Sequence, residues 1–131
     1  MVLLDTNTLI YLFTQRGAVA QRLQATPAHT IKLATPVLFE LEFGTAKSTR
    51  PDQQRRQIDH VMRVYEVLPL DYASAKAAGV LRHTLELAGT PIGLVDQLIA
   101  GIALTHNLTV ITRNTREFAR VPGLRVENWY D

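Results

Sequence analysis

The sequence predicts an α/β fold: one domain over residues 1–131, built on a short, mainly parallel central sheet with helices on both faces. Three observations carry this expectation. Short β-branched or aliphatic runs alternate with longer stretches at helical apolar spacing. The segments between runs are long enough for helical crossovers, which place successive strands parallel and connect them with a right hand. A chain of 131 residues, 47% hydrophobic and 20% charged, can bury a self-sufficient core.

Val2 to Leu4 reads as the first strand, and Asp5 caps a helix from Thr6 to about Gln15, where Leu9, Ile10, Leu12 and Phe13 recur at helical spacing. Gly17 breaks that helix, Val19 to Ala25 forms a short one, and Pro27 ends it. The strand Ile31 to Ala34 leads into Thr35-Pro36, with Thr as cap and Pro in the first helical position. This helix runs to about Lys47, and residues 48–52 form a loop. Asp52 opens a helix ending near Glu66, before the strand Val67 to Leu70. Asp71 caps a long Ala-rich helix that ends at Gly89, and Thr90-Pro91-Ile92-Gly93 is a rigid turn. Leu94 to His106 is an almost wholly apolar helix closed by Asn107. Thr109 to Thr112 is a strand, Asn114 to Ala119 a short helix, and Leu124 to Val126 the last strand.

Composition excludes several classes. With no cysteine, disulfide frameworks, thiolate metal sites and cysteine nucleophiles are all absent. No apolar run approaches the roughly 18 residues of a membrane span, and the N-terminus has no basic start or cleavage site. These features predict a cytoplasmic protein without a membrane partner. Net charge is only +2, but Arg greatly outnumbers Lys, whose positions are 32, 47 and 76. Arg forms planar, bidentate contacts with phosphate, although a base-composition bias explains it equally well.

In a parallel sheet, ligands bind outside the carboxyl ends of the strands. Three acids stand there in apolar company. Asp5 ends the first strand, where it can cap a helix, bind a cation, or do both. Asp96 is the only charged group between Pro91 and Leu104, and no Lys or Arg lies within a turn of it. Burying such a carboxylate is costly without a partner. Glu40 and Glu42 lie about 200° apart around one helix, so one faces inward. Gly44 shares the face of Glu40 and leaves space beside it, which favours Glu40 inward and Glu42 outward. Oxygen donors without cysteine or a histidine pair suit Mg2+ or Mn2+ rather than zinc. A hard cation beside phosphate-binding arginines suggests phosphodiester hydrolysis by a metal-activated water.

The motifs occur in order along the whole chain: Leu4-Asp5-Thr6-Asn7, Thr35-Pro36 through Glu40 to Gly44, Gly89-Thr90-Pro91-Ile92-Gly93-Leu94-Val95-Asp96, and Val110-Ile111-Thr112-Arg113-Asn114. In this the sequence resembles the PIN-domain ribonucleases, specifically the VapC-type toxins of bacterial toxin–antitoxin pairs. The resemblance implies a PIN-like fold with Asp5, Glu40 and Asp96 as catalytic, metal-binding carboxylates. It implies that Asn7, Thr112 and Asn114 line the pocket as supporting groups, where an Asx turn, a strand-end hydroxyl and a helix cap are the respective alternatives. It also implies an Mg2+-dependent endoribonuclease that cuts tRNA or another structured RNA, a homodimer, and a VapB-like antitoxin.

Asn114 departs from the pattern, because many PIN nucleases carry an acid there. A catalytically inactive PIN-fold module that binds RNA or protein is therefore the alternative. Asn114-Thr115-Arg116-Glu117 matches a capping box, which assigns Glu117 mainly to structure. Arg113 and Arg116 flank the pocket, where substrate phosphate and solvent are equal expectations. Tyr11, Phe13, Phe39, Phe43 and Phe118 are expected in the core. A haloacid-dehalogenase-type site is set aside, because Asn7 stands where that pattern needs a second Asp.

Overall fold

The computed structural model describes residues 1–131. Five parallel strands form the sheet in the order β3-β2-β1-β4-β5. The strands are β1 (Val2–Leu4), β2 (Ile31–Ala34), β3 (Glu66–Leu68), β4 (Thr109–Ile111) and β5 (Val126–Glu127). Seven helices join them: α1 (Thr6–Phe13), α2 (Val19–Gln24), α3 (Thr35–Ala46), α4 (Pro51–Val64), α5 (Tyr72–Leu87), α6 (Leu94–His106) and α7 (Thr115–Phe118). The central strand β1 pairs Val2 with both Ile31 and Thr109. Its neighbours bury nearly every side chain, as a sheet covered on both faces requires, and Leu3, Leu4, Leu33, Val110 and Ile111 have no exposed surface.

From β1 the chain winds outward to β2 and β3, then returns across β1 to β4 and β5. Right-handed crossovers in opposite directions place their helices on opposite faces. The seam between α5 and α6 is the tightest in the molecule. A Cβ on Gly101 would stand 2.7 Å from the Ser74 carbonyl and 2.8 Å from Ala78 Cβ, so the two helices meet backbone to backbone there.

Several local expectations need correction. Ala34, not Thr35, is the N-cap of α3; the Thr35 hydroxyl instead accepts from the Leu70 N–H at 3.0 Å and ties α3 to the end of β3. β3 stops at Leu68 because Pro69 has no N–H for a ladder. The last strand begins at Val126, not Leu124, since the Leu124 N–H turns back to Val121 around Gly123, whose φ is +77°. Phe39 and Phe43 are not core residues but are 66% and 60% exposed. Val37, Leu38, Leu41 and Thr45 occupy the inner face of α3, and the two phenyl rings lie one turn apart outside it.

Candidate active site

The winding direction reverses between β1 and β4, and the carboxyl ends of those strands form the crevice where such sheets bind ligands. Asp5 leaves β1 at this point and Thr112 leaves β4. The Asp5 N–H donates to the Ile111 carbonyl at 3.1 Å, and its Oδ1 accepts from the Thr8 N–H at 2.9 Å. Asp5 therefore caps α1 while only 5% of its surface remains exposed. Burial pushes its carboxyl pKa up against the hydrogen bonds of Thr112 and Thr8, and the nearby Glu40 charge adds to the rise.

Glu40 and Glu42 separate as the sequence predicts. Glu40 is half-buried and accepts a short hydrogen bond from the Thr6 hydroxyl. Glu42 is exposed and receives both arms of the Arg55 guanidinium, which holds its carboxyl below the ordinary range.

Asp96, in the first turn of α6, is pushed up to about 7 by burial, by a hydrogen bond to Glu117, and by the charges of Glu117, Asp5 and Glu40. Glu117 moves the other way. Its Oε1 accepts from the Gly93 N–H at 2.8 Å and its Oε2 from the Asn114 amide at 2.7 Å, so its charge is already hydrogen-bonded. Of the two carboxyls, Asp96 is therefore the one pushed towards its neutral form.

Asp5, Glu40, Asp96 and Glu117 form one electrostatic group, yet none has an ion pair with Lys or Arg. Arg120 lies near Glu117 and favours its charge, but its guanidinium donates to the Pro91 carbonyl at 2.9 Å. As they stand, no three acid or histidine side chains of the chain are arranged to hold a metal ion. Oxygen donors with surplus negative charge are the chemistry of a hard divalent cation, which keeps several waters and takes few protein ligands. Asp5, Glu40 and Asp96 are the carboxylates this corner offers to one.

The other expected residues are placed unequally. Thr112 is fully buried beside Asp5, and its hydroxyl accepts from the Asn114 N–H at 2.9 Å. Asn7 is exposed and its side chain hydrogen-bonds nothing in the chain, whereas its neighbour Thr6 reaches Glu40. Arg113 lies 3.7 Å from the Tyr130 ring centroid, with Tyr11 at 5.7 Å, so the C-terminal tail holds it at the rim. Arg116 is exposed and free of partners.

The capping box does not form: Asn114 makes no side-chain cap, and its amide turns to the Glu117 carboxylate instead. Glu117 and Thr6 are thus the residues that the sequence reading underrated. The signal for Glu117 was available, since it follows β4 at the ligand edge of the sheet. A plausible local role for it in α7 masked that signal.

Fold and pocket together define a class: parallel α/β domains that gather uncompensated carboxylates at the switch point of the sheet. The sequence matches the PIN-domain family over residues 2–124. It is 35% identical over 127 residues to the tRNA(fMet)-specific endonuclease VapC of Salmonella typhimurium, covering 97% of this chain and 96% of that one. It is 33% identical over 129 residues to ribonuclease VapC2 of Rickettsia felis, with the same coverage. Among solved structures, VapBC from Salmonella typhimurium bound to DNA matches with a TM-score of 0.91 and 35% identity, covering 98% of this chain and 99% of that one. VapBC2 from Rickettsia felis, bound to a promoter DNA fragment, matches with a TM-score of 0.91, 32% identity and the same coverage. The chain belongs to the PIN-domain family, in its VapC-type ribonuclease group. No helix is long and apolar enough to cross a membrane.

Proposed function

We propose that this chain is an Mg2+-dependent endoribonuclease, the toxin of a toxin–antitoxin pair, hydrolysing phosphodiester bonds in tRNA or another structured RNA. The observation that carries this reading is the group of acids without a basic partner at the switch point of the sheet. A bound divalent cation, Mg2+ or Mn2+ in its place, supplies an activated water and neutralises charge that develops on the phosphate. Asp5, Glu40 and Asp96 would hold it. Thr6 orients Glu40, while Thr8 and Thr112 orient Asp5. Glu117 takes up the Gly93 N–H and the Asn114 amide, which leaves Asp96 as the carboxyl that would face the cation. Arg116, exposed at the rim, is suited to RNA phosphate, and Arg113 presents the guanidinium edge that Tyr130 leaves open.

The tRNA-directed relative from Salmonella supports tRNA as substrate, and the VapBC assemblies support a VapB-like antitoxin as partner. We read the working form as a cytoplasmic homodimer. The inactive alternative rests on Asn114; the Glu117 carboxylate beside it supports the active reading.

Incubating the protein with total tRNA tests this. Cleavage is expected with Mg2+ or Mn2+ and not with a chelator. Asp96→Asn should abolish both cleavage and the Mn2+ binding heat while keeping the circular dichroism of the wild type. Full cleavage by that variant ends the assignment.

A further inference from the structure

A second concavity, of about 430 Å3, lies between α1, α3 and α4, and Glu40 lines it as well as the acidic pocket. Glu40 therefore stands between the two. Gly44, one turn beyond Glu40, keeps the second one open: nothing lies within 4 Å of where its Cβ would stand. The volume is within the roughly 300–1,000 Å3 of sites for small ligands.

The chemistry of the walls is specific. Phe13 offers part of an aromatic face, half-buried at the end of α1. Successive turns of α4 bring three glutamine amides to the cavity. Gln57 is already engaged, donating to the Phe13 carbonyl at 3.2 Å. Gln53 and Gln54 hydrogen-bond no other group of the chain, although both line the cavity. Arg50 lines it as well and has no ion pair, whereas Arg55, farther along α4, is taken by Glu42 and Asp59.

Free amides carry a donor and an acceptor each, the complement of a nucleobase edge. A guanidinium beside them suits a phosphate. An apolar peptide segment laid in the same place would cover these amides without satisfying them, which is costly. A base within an RNA duplex could not enter, because its edges are occupied by pairing and its faces by stacking.

The geometry points to a nucleotide subsite: this cavity takes one unpaired nucleotide of an RNA, adjoining the phosphate held at the acidic pocket. Gln53 and Gln54 read the base edge, Phe13 covers a face, and Arg50 holds the next phosphate. The inference rests on the ribonuclease reading above and adds that the sequence around the cut is selected by α4.

The test uses the full chain with Mg2+ and a pool of random-sequence single-stranded RNA. One arm sequences the 5′ ends of the cleavage products; the other measures anisotropy of short labelled oligonucleotides that differ at one position. The wild type is expected to prefer one base beside the cut and to bind the matching oligonucleotide best. Gln53→Ala with Gln54→Ala should flatten that preference at least tenfold in both arms. Arg50→Ala should raise KM about tenfold and keep the preference. Gly44→Leu, which fills open space without a backbone clash, should lose the preference while melting no lower than the wild type.

An unchanged preference in the double glutamine variant and in Gly44→Leu overturns the subsite and leaves the nuclease standing. Selective binding without any cleavage by the wild type overturns the nuclease reading and leaves the subsite standing. Loss of affinity for a VapB-like antitoxin, with RNA selection intact, makes the cavity a protein-docking groove and also overturns the proposal.

Discussion

Asp5 and Asp71 each follow a strand of the sheet and cap the helix behind it, both by accepting the backbone N–H three residues on at 2.9 Å. Their electrostatic states are nevertheless opposite. Asp71 leaves β3, at the edge of the sheet, and its cap hydrogen bond to Ser74 holds the exposed carboxyl below the ordinary range. Asp5 leaves β1, at the centre, where burial outweighs the same kind of hydrogen bond and Glu40 adds a like charge. The cap is a local property that four or five residues specify. The chemistry depends on which strand the cap follows and on what the rest of the chain brings beside it.

Replacing each Asp by Asn separates these two properties, since Asn caps a helix about as well as Asp. The largest effect is expected at Asp5→Asn: RNA cleavage should fall at least ~100-fold, because an amide cannot supply the anionic ligand, while the melting temperature does not drop. Asp71→Asn should cleave like the wild type. Equal damage from the two substitutions would mean that the switch point of the sheet has no special place in the activity.

Glycines repeat the lesson on a smaller scale. Gly101→Ala should destabilise the protein by about 1–3 kcal/mol, because the new Cβ meets the Ser74 carbonyl and Ala78 across the tightest helix seam. Gly44→Ala, in the last turn of α3 and beside an open cavity, should stabilise it by up to roughly 0.5–1 kcal/mol. Urea denaturation of the two variants measures both. If they shift the midpoint in the same direction, α3 and α6 do not differ in the way their surroundings indicate.

The alternation of apolar runs and helical spacing made the fold legible, since each strand and helix declares itself within a few residues. Asp5 and Asp96 were legible for the same reason: a carboxylate in an apolar run needs a partner wherever the run goes. Glu40 was told from Glu42 by the spacing to Gly44. Glu117 was obscured because Asn114-Thr115-Arg116-Glu117 satisfies a local rule, while the contacts that matter come from Gly93 and Asp96 on another segment. Phe39 and Phe43 were misplaced for a related reason. α3 is apolar on most sides, so its spacing does not say which side meets the sheet.

The finest test of the comparison is the pH dependence of stability in chelator-treated protein. Asp96 has its folded pKa raised from 3.8 to about 7. Between those values the folded chain keeps a proton that the unfolded chain has released, so stability falls as pH rises through this window. Asp71 is the reverse case: its folded pKa is lowered, so its contribution is present above the unfolded pKa and is lost as pH falls through the folded one. Asp96→Asn should therefore melt several degrees above the wild type near pH 8 and level with it near pH 4. Asp71→Asn should leave the neutral limb unchanged and blunt only the acid limb. Mg2+ added near pH 8 should raise the melting temperature of the wild type and not that of Asp96→Asn, because only a carboxylate there both strains the empty pocket and rewards a cation. An Asp96→Asn profile that parallels the wild type at every pH would mean that the strain lies elsewhere, and the contrast between the two capped helices would reduce to burial alone.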